Sequence, residues 1–131
     1  MENPTAIELY AQAHRQWREV VELDLHDSED IVYGIMPLLV RGLSLAPDHL
    51  PSLDLLSDML MEIGACEEAV EFVEKMLELA PDDADYRKKL TALASDEDNR
   101  RRVVRVYLHQ KRLRLAKDVA AESAPPTPPA G

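Results

Sequence analysis

Apolar residues recur along this chain at helical spacing, and polar or proline punctuation divides them into six segments. Leu53, Leu56, Leu60 and Ile63 share one face of a helix predicted over about Leu50–Ile63, with Pro51 harmless in its first turn. Gly64 follows, a residue free to take the positive φ that closes helices. Ala69, Val70, Val73, Met76 and Leu77 form the stripe of the next helix, about Cys66–Leu79. Pro81 cannot continue it, and Asp82 or Asp83 can cap a helix over about Ala84–Ala94. Upstream, Thr5 to about Leu25 reads as a helix with Ile7, Tyr10, Ala13, Trp17, Val20 and Val21 inward. Asp27 or Ser28 then caps a second helix reaching about Leu45. Gly34 and Pro37 inside it predict a kink or local break, because proline removes a backbone hydrogen bond and crowds the carbonyl of Tyr33. Ser95-Asp-Glu-Asp98 resembles a capping box that opens a sixth helix to about Ala121, roughly 39 Å long at about 1.5 Å per residue. The chain is expected to be all-α.

The pattern repeats. Leu43-Ser-Leu-Ala-Pro-Asp48 recurs as Leu77-Glu-Leu-Ala-Pro-Asp82, identical at five of six positions and 34 residues apart. Backwards, Met36, Leu38, Leu39 and Arg41 align with Val70, Phe72, Val73 and Lys75. Forwards, Leu56, Ser57 and Met59 align with Leu90, Thr91 and Leu93. Period and residues together resemble the tetratricopeptide repeat. The repeat from Leu50 to Asp83 fits best. Leu53, Leu56 and Leu60 take that family's large first-helix positions, Ser57 the small position and Gly64 the turn glycine. Ala69, Val73, Met76 and Pro81 follow in the second helix. Met76 stands where alanine is customary, and Leu53 where an aromatic is. The resemblance implies a short helix-turn-helix solenoid of about three pairs. The domains expected are a repeat domain over 1–95, a long basic helix over 96–122, and a disordered proline-rich tail over 123–131.

Charge changes the picture. The net charge is −10. Residues 1–86 hold 20 acidic and 4 basic residues, and residues 87–131 hold 5 acidic and 11 basic ones. Halves of opposite sign point to an interaction surface or to attraction within the chain. The acidic body argues against nucleic acid as a partner of the whole protein. Arg100, Arg101, Arg102, Arg105, Lys111, Arg112, Arg114 and Lys117 keep a local phosphate contact in view, although Tyr107 alone offers a stacking ring.

Composition excludes more chemistry than it suggests. One cysteine, Cys66, permits no internal disulfide and no cysteine-based zinc site, and it suits a reducing, cytoplasmic setting. Four glycines leave no phosphate loop. No apolar run is long enough to span a membrane, and no secretory signal is read at the start. His26 four residues after Glu22, with Asp27, Glu29 and Asp30, makes an incomplete metal set, which helix capping explains as well. Cys66 has no sequence-local base, and Trp17 reads as packing. Neither a cofactor nor a metal is expected, nor an enzyme.

Asp54 and Asp58 lie on the first helix of the best repeat, on the side away from Leu53, Leu56 and Leu60. The resemblance implies that this side lines a concave, partner-binding groove, continued by Met61 and Glu62. Aspartates there suit a basic or amphipathic partner segment. The leading expectation is therefore a non-enzymatic adaptor or small chaperone that docks a protein partner through Asp54, Asp58, Met61 and Glu62. The last helix has three readings. Val104, Tyr107, Leu108, Leu115 and Val119 could cap the repeats, or they could form a homodimer contact. Alternatively, the basic helix could lie in the acidic groove and occupy it. A nucleic-acid-associated regulator using Arg100–Lys117 is a further class.

Overall fold

The structure, a computed structural model, describes residues 4–123, with side chains through residue 117. It is all-helical among those residues: α1 Ala6–Glu22, α2 Glu29–Leu45, α3 Leu50–Glu62, α4 Cys66–Leu79, α5 Ala84–Leu93 and α6 Glu97–Ser123. The expected tail falls outside the described residues from 124 onward. No helix among them is long and apolar enough to cross a membrane.

The helix ends are written locally. Thr5, Ser28 and Asp83 each accept a hydrogen bond from the backbone N–H three residues on, which satisfies an otherwise orphaned donor. Ser28 and Asp83 thus serve as the caps, rather than Asp27 and Asp82. The leading helices of the first two pairs close in the same way. Gly64, at φ 79°, donates to the Met61 carbonyl while Ala65 donates to that of Leu60. Asp24, at φ 56°, donates to Val21 while Leu25 donates to Val20. Both are Schellman closures, and the one at Asp24 stops α1 at Glu22, short of the expected Leu25.

The 34-residue recurrence has a backbone counterpart. Ala46 and Ala80 both sit at φ −139°, and each donates to a carbonyl four residues back, Gly42 and Met76. Pro47 and Pro81 follow. His49 then donates to Ala46 as Asp83 donates to Ala80. The same six-residue signature makes the same turn twice.

Three local expectations are corrected. α2 runs through Gly34 and Pro37 without a break, the bond proline cannot make being one among many in a helix packed on both α1 and α3. Ile7 is 69% exposed; the inward stripe of α1 is Ala6, Leu9, Ala13, Trp17 and Val20. Ser95 does not form a capping box: its hydroxyl donates to the Thr91 carbonyl at the end of α5, and α6 begins beyond Asp96, whose carbonyl accepts from Asn99 and Arg100.

Each helix packs on the next, and α6 turns back to meet α1 and α3 as well as α5. This puts α3 at the centre, with an unbroken buried run from Leu55 to Met61. A helix enclosed on all sides must bury its polar face too, and that face carries Asp54, Asp58 and Glu62. The unusual Met76 has its space because Ser57 opposite it is small: their side chains meet at 3.8 Å, and the Ser57 hydroxyl is satisfied by the Asp54 carbonyl at 2.9 Å.

Candidate functional site

Asp54, Asp58 and Glu62 are four residues apart, so α3 presents them as one acidic stripe. α5 sets Asp85 and Lys89 beside it at the same spacing. α6 lies across both and lowers a two-residue-wide stripe onto them, Tyr107–Leu108 and Lys111–Arg112, with Arg114 and Leu115 beyond. The site is therefore a groove between α1, α3 and α5 with α6 seated in it.

At its floor, Lys89 is wholly buried. Its Nζ lies 2.8 Å from Asp54 Oδ1 and 2.6 Å from Asp58 Oδ1, and donates to the Asp54 carbonyl at 2.9 Å. Two of the ammonium protons thus have acceptors on Asp54, whereas Asp58 Oδ1 is held by charge and accepts no hydrogen bond. Lys111 comes from the opposite side, its Nζ 2.8 Å from Asp54 Oδ2, 3.2 Å from Asp58 Oδ2 and 3.8 Å from Asp85 Oδ2. Each of the two central carboxylates therefore has one ammonium per oxygen. Arg112 donates to Glu62 Oε1 at 2.7 Å, Arg114 reaches Asp85 at 3.1 Å, and the Tyr107 hydroxyl lies 3.5 Å from Asp85. The Tyr107 ring spans both ammoniums, its centre 6.0 Å from Lys89 Nζ and 5.9 Å from Lys111 Nζ.

The charges titrate according to how fully they are matched. Burial drives the Asp54 carboxyl up, but Lys89 and Lys111 outweigh it and hold it below its ordinary value. Asp58 is more deeply enclosed, so burial wins there and, with the Asp54 charge alongside, pushes it up. Burial also raises Glu62 against the pull of Arg112. Burial alone would lower the Lys111 ammonium; Asp58 and Asp54 more than reverse this and raise it. The Tyr107 phenol is pushed far up by burial, reinforced by Asp58, Asp54 and Asp85.

Of the expected contact residues, Asp54, Asp58 and Glu62 do line one groove, but they lie under α6 and are paired with it. Met61 is 3% exposed and belongs to the core. On α6, Val104, Tyr107 and Leu108 are buried against the body of the same chain, with Leu115 partly so. The side chain of Val119 lies outside those described. Trp17 is buried, and with Tyr10 and His14 it borders a cleft of about 250 Å³ left between α1, α3 and α6. Tyr10 meets His49 edge-on at 5.6 Å. Cys66 and His26, remote in sequence, line a second cavity of about 660 Å³ with Arg100, Arg101 and Arg105. Burial, then the nearby Arg112, lowers His26.

Two further participants carry a sequence signal of their own. Lys89 stands 34 residues after the buried Leu55, a lysine where the preceding repeat puts a leucine, and four before the buried Leu93. Asp85 is one helical turn before Lys89. No protein-family model matches this chain, and no curated protein or solved structure matches it.

Proposed function

We propose that this chain is a non-enzymatic protein-interaction module, an adaptor or small chaperone built as a short tetratricopeptide-like solenoid. In this reading α1/α2, α3/α4 and α5/α6 are the three helix pairs. The observation that carries the proposal is that the groove between α1, α3 and α5 has a helix in it, seated on Val104, Tyr107 and Leu108 and matched charge for charge at Lys111, Arg112 and Arg114. A surface that holds one helix this way can hold another. The repeated turns at Ala46 and Ala80 support the solenoid reading. The groove's carboxylates are engaged by ammonium and guanidinium groups, the chemistry of holding a cationic segment.

The test uses the full chain carrying a photoreactive residue at Tyr10, which borders the cleft. Irradiated in its own nuclease-treated extract, it should cross-link one dominant polypeptide at low salt and lose it at high salt. The same probe at Glu71, exposed on α4, should not. Equal capture at both positions, or recovery of the chain alone, would defeat the proposal.

A second reading has its own observation. Val106 and Leu113 stand seven residues apart on the outer face of α6, 54% and 55% exposed. Such a pair suits self-association of two copies, through different residues from those expected.

A further inference from the structure

We propose that α6 is a displaceable latch on this groove, and that the partner which replaces it is a basic amphipathic helix carrying α6's own pattern with a bulkier apolar residue in place of Leu115. This presupposes the interaction role above and adds how the site is regulated and what it selects.

Charge comes first. Without α6 the groove presents Asp54, Asp58, Glu62 and Asp85 against buried Lys89, a net of −3, with Lys88, which donates to Gln110 of α6, at its exposed rim. Lys111, Arg112 and Arg114 supply +3. An empty groove would be an acidic slot on an already acidic body, so it selects a cationic helix whether that helix is tethered or free.

Fit comes second. Interiors pack to the density of organic crystals, yet a cleft of about 250 Å³ remains beside α6, bordered by Tyr10, Trp17, Leu55, Lys111 and Leu115. α6 fills its seat incompletely where Tyr10 and Trp17 of α1 and Leu55 of α3 face it, alongside the carboxylates of Asp54, Asp58 and Glu62. A partner with an indole at the position of Leu115 would close that space.

The manner of attachment comes third. From Val104 to Leu108 α6 is held by apolar burial, but from Lys111 onward mainly by ion pairs, with Leu113 turned to solvent. Ions that leave a buried pair regain their hydration, whereas an opened apolar core gains nothing from water. The C-terminal half of α6 is therefore the part whose release is least opposed. Only residues 94–96 join α6 to α5, and α1 to α5 also pack on one another in sequence.

The probe is a fluorescent synthetic peptide of residues 100–117 with Leu115 replaced by Trp. It is titrated into the full chain and into the full-chain variant Lys111→Glu/Arg112→Glu, whose latch is repelled while the groove is untouched. Because apparent affinity scales with the fraction of open groove, the variant should bind at least about tenfold tighter than wild type. The peptide carrying Leu at the same position should bind both more weakly. Equal affinity for the two proteins, with both shown folded by circular dichroism, would overturn the latch.

Should the double variant not fold, a flexible Gly-Ser insertion between Ser95 and Asp96 serves instead. It lowers the effective concentration of α6 without altering the groove, and tighter peptide binding is again expected. No tightening in the insertion variant would overturn the proposal. A dimer of the unliganded chain that sedimentation still shows after Val106→Glu/Leu113→Glu, but not after Lys111→Glu/Arg112→Glu, would assign the seat to a second copy and overturn the foreign helix. Failure here is separable from failure of the interaction role: a polypeptide still cross-linked from Tyr10 in extract would leave that role standing without the latch.

Discussion

Lys89 of α5 and Asp58 of α3, both buried, face each other at 2.6 Å beneath the ring of Tyr107. Asp54 and Lys111 complete the pairing, Asp54 on Lys89 at 2.8 Å and Lys111 on Asp58 at 3.2 Å. Lys89→Met should leave buried Asp58 and partly buried Asp54 with Lys111 alone and cost about 3–5 kcal/mol. Adding Asp58→Leu removes the orphaned charge and leaves Asp54 with Lys111. The double variant should recover to within about 1–2 kcal/mol of wild type. Urea unfolding followed by circular dichroism measures both. A double variant no more stable than the single would mean that the pair is not what holds Lys89 in place.

Alkaline pH should unfold the chain for a reason located on α6. Lys111 and Tyr107 both have folded pKa values above their ordinary 10.5 and 10.0. For a raised group, stability is fully present below the unfolded value and is lost as pH climbs toward the folded one. Tyr10 and Tyr86 are raised as well and act in the same direction. The urea midpoint should therefore fall from about pH 10 upward, and Tyr107→Phe should make the fall shallower.

In acid the groove works against itself. Asp54, held low, contributes stability above its ordinary 3.8 that is lost as pH falls. Asp58 and Glu62, raised, favour folding when protonated and withdraw that support as pH rises through their folded values. Asp54→Asn leaves only the second kind. That variant should gain stability relative to wild type as pH is lowered from about 4 to about 2, below the ordinary value of Asp54. An unchanged difference between the two proteins across that range would contradict the assignment.

The two closures of the leading helices should respond in opposite directions. A Cβ on Gly64 meets nothing within 4 Å, so Gly64→Ala is opposed by its positive φ alone and should cost about 1–2 kcal/mol. Asp24 already carries that strain, and Asp24→Gly should relieve part of it, raising stability by about 0.5 kcal/mol. Paired thermal melts suffice as the check.

Val106 and Leu113 project from α6 away from the body. Replacing both with glutamate should shift stability by less than about 0.5 kcal/mol each. Sedimentation of the same variant reads self-association: a wild-type dimer that becomes monomeric would place its contact on these two residues.

The helices and their ends were legible because their causes are local. The boundaries of α4 and the start of α3 follow from proline, glycine and the apolar stripe, and the duplicated Leu-x-Leu-Ala-Pro-Asp segment does make one turn twice. The structure departs from the local pattern where neighbours decide. Ile7 and Leu9 offer alternative stripes on α1, and only the position of α2 selects Leu9. Ser95 can cap α6 or bond back to Thr91, and the approach of the two helices selects the latter.

The groove shows the same division. Sequence by itself determined that Asp54, Asp58 and Glu62 share a face, that the last helix is basic, and that the two were capable of attracting one another. Helical periodicity and net charge are properties of short segments and need no fold. Only the tertiary structure decided that α6 lies in the groove, that Lys89 anchors the network from below, and that Met61 turns inward. Those outcomes depend on which of several complementary surfaces meet, and the meeting is set by the packing of helices some fifty residues apart in the chain, Glu62 with Arg112 and Asp54 with Lys111.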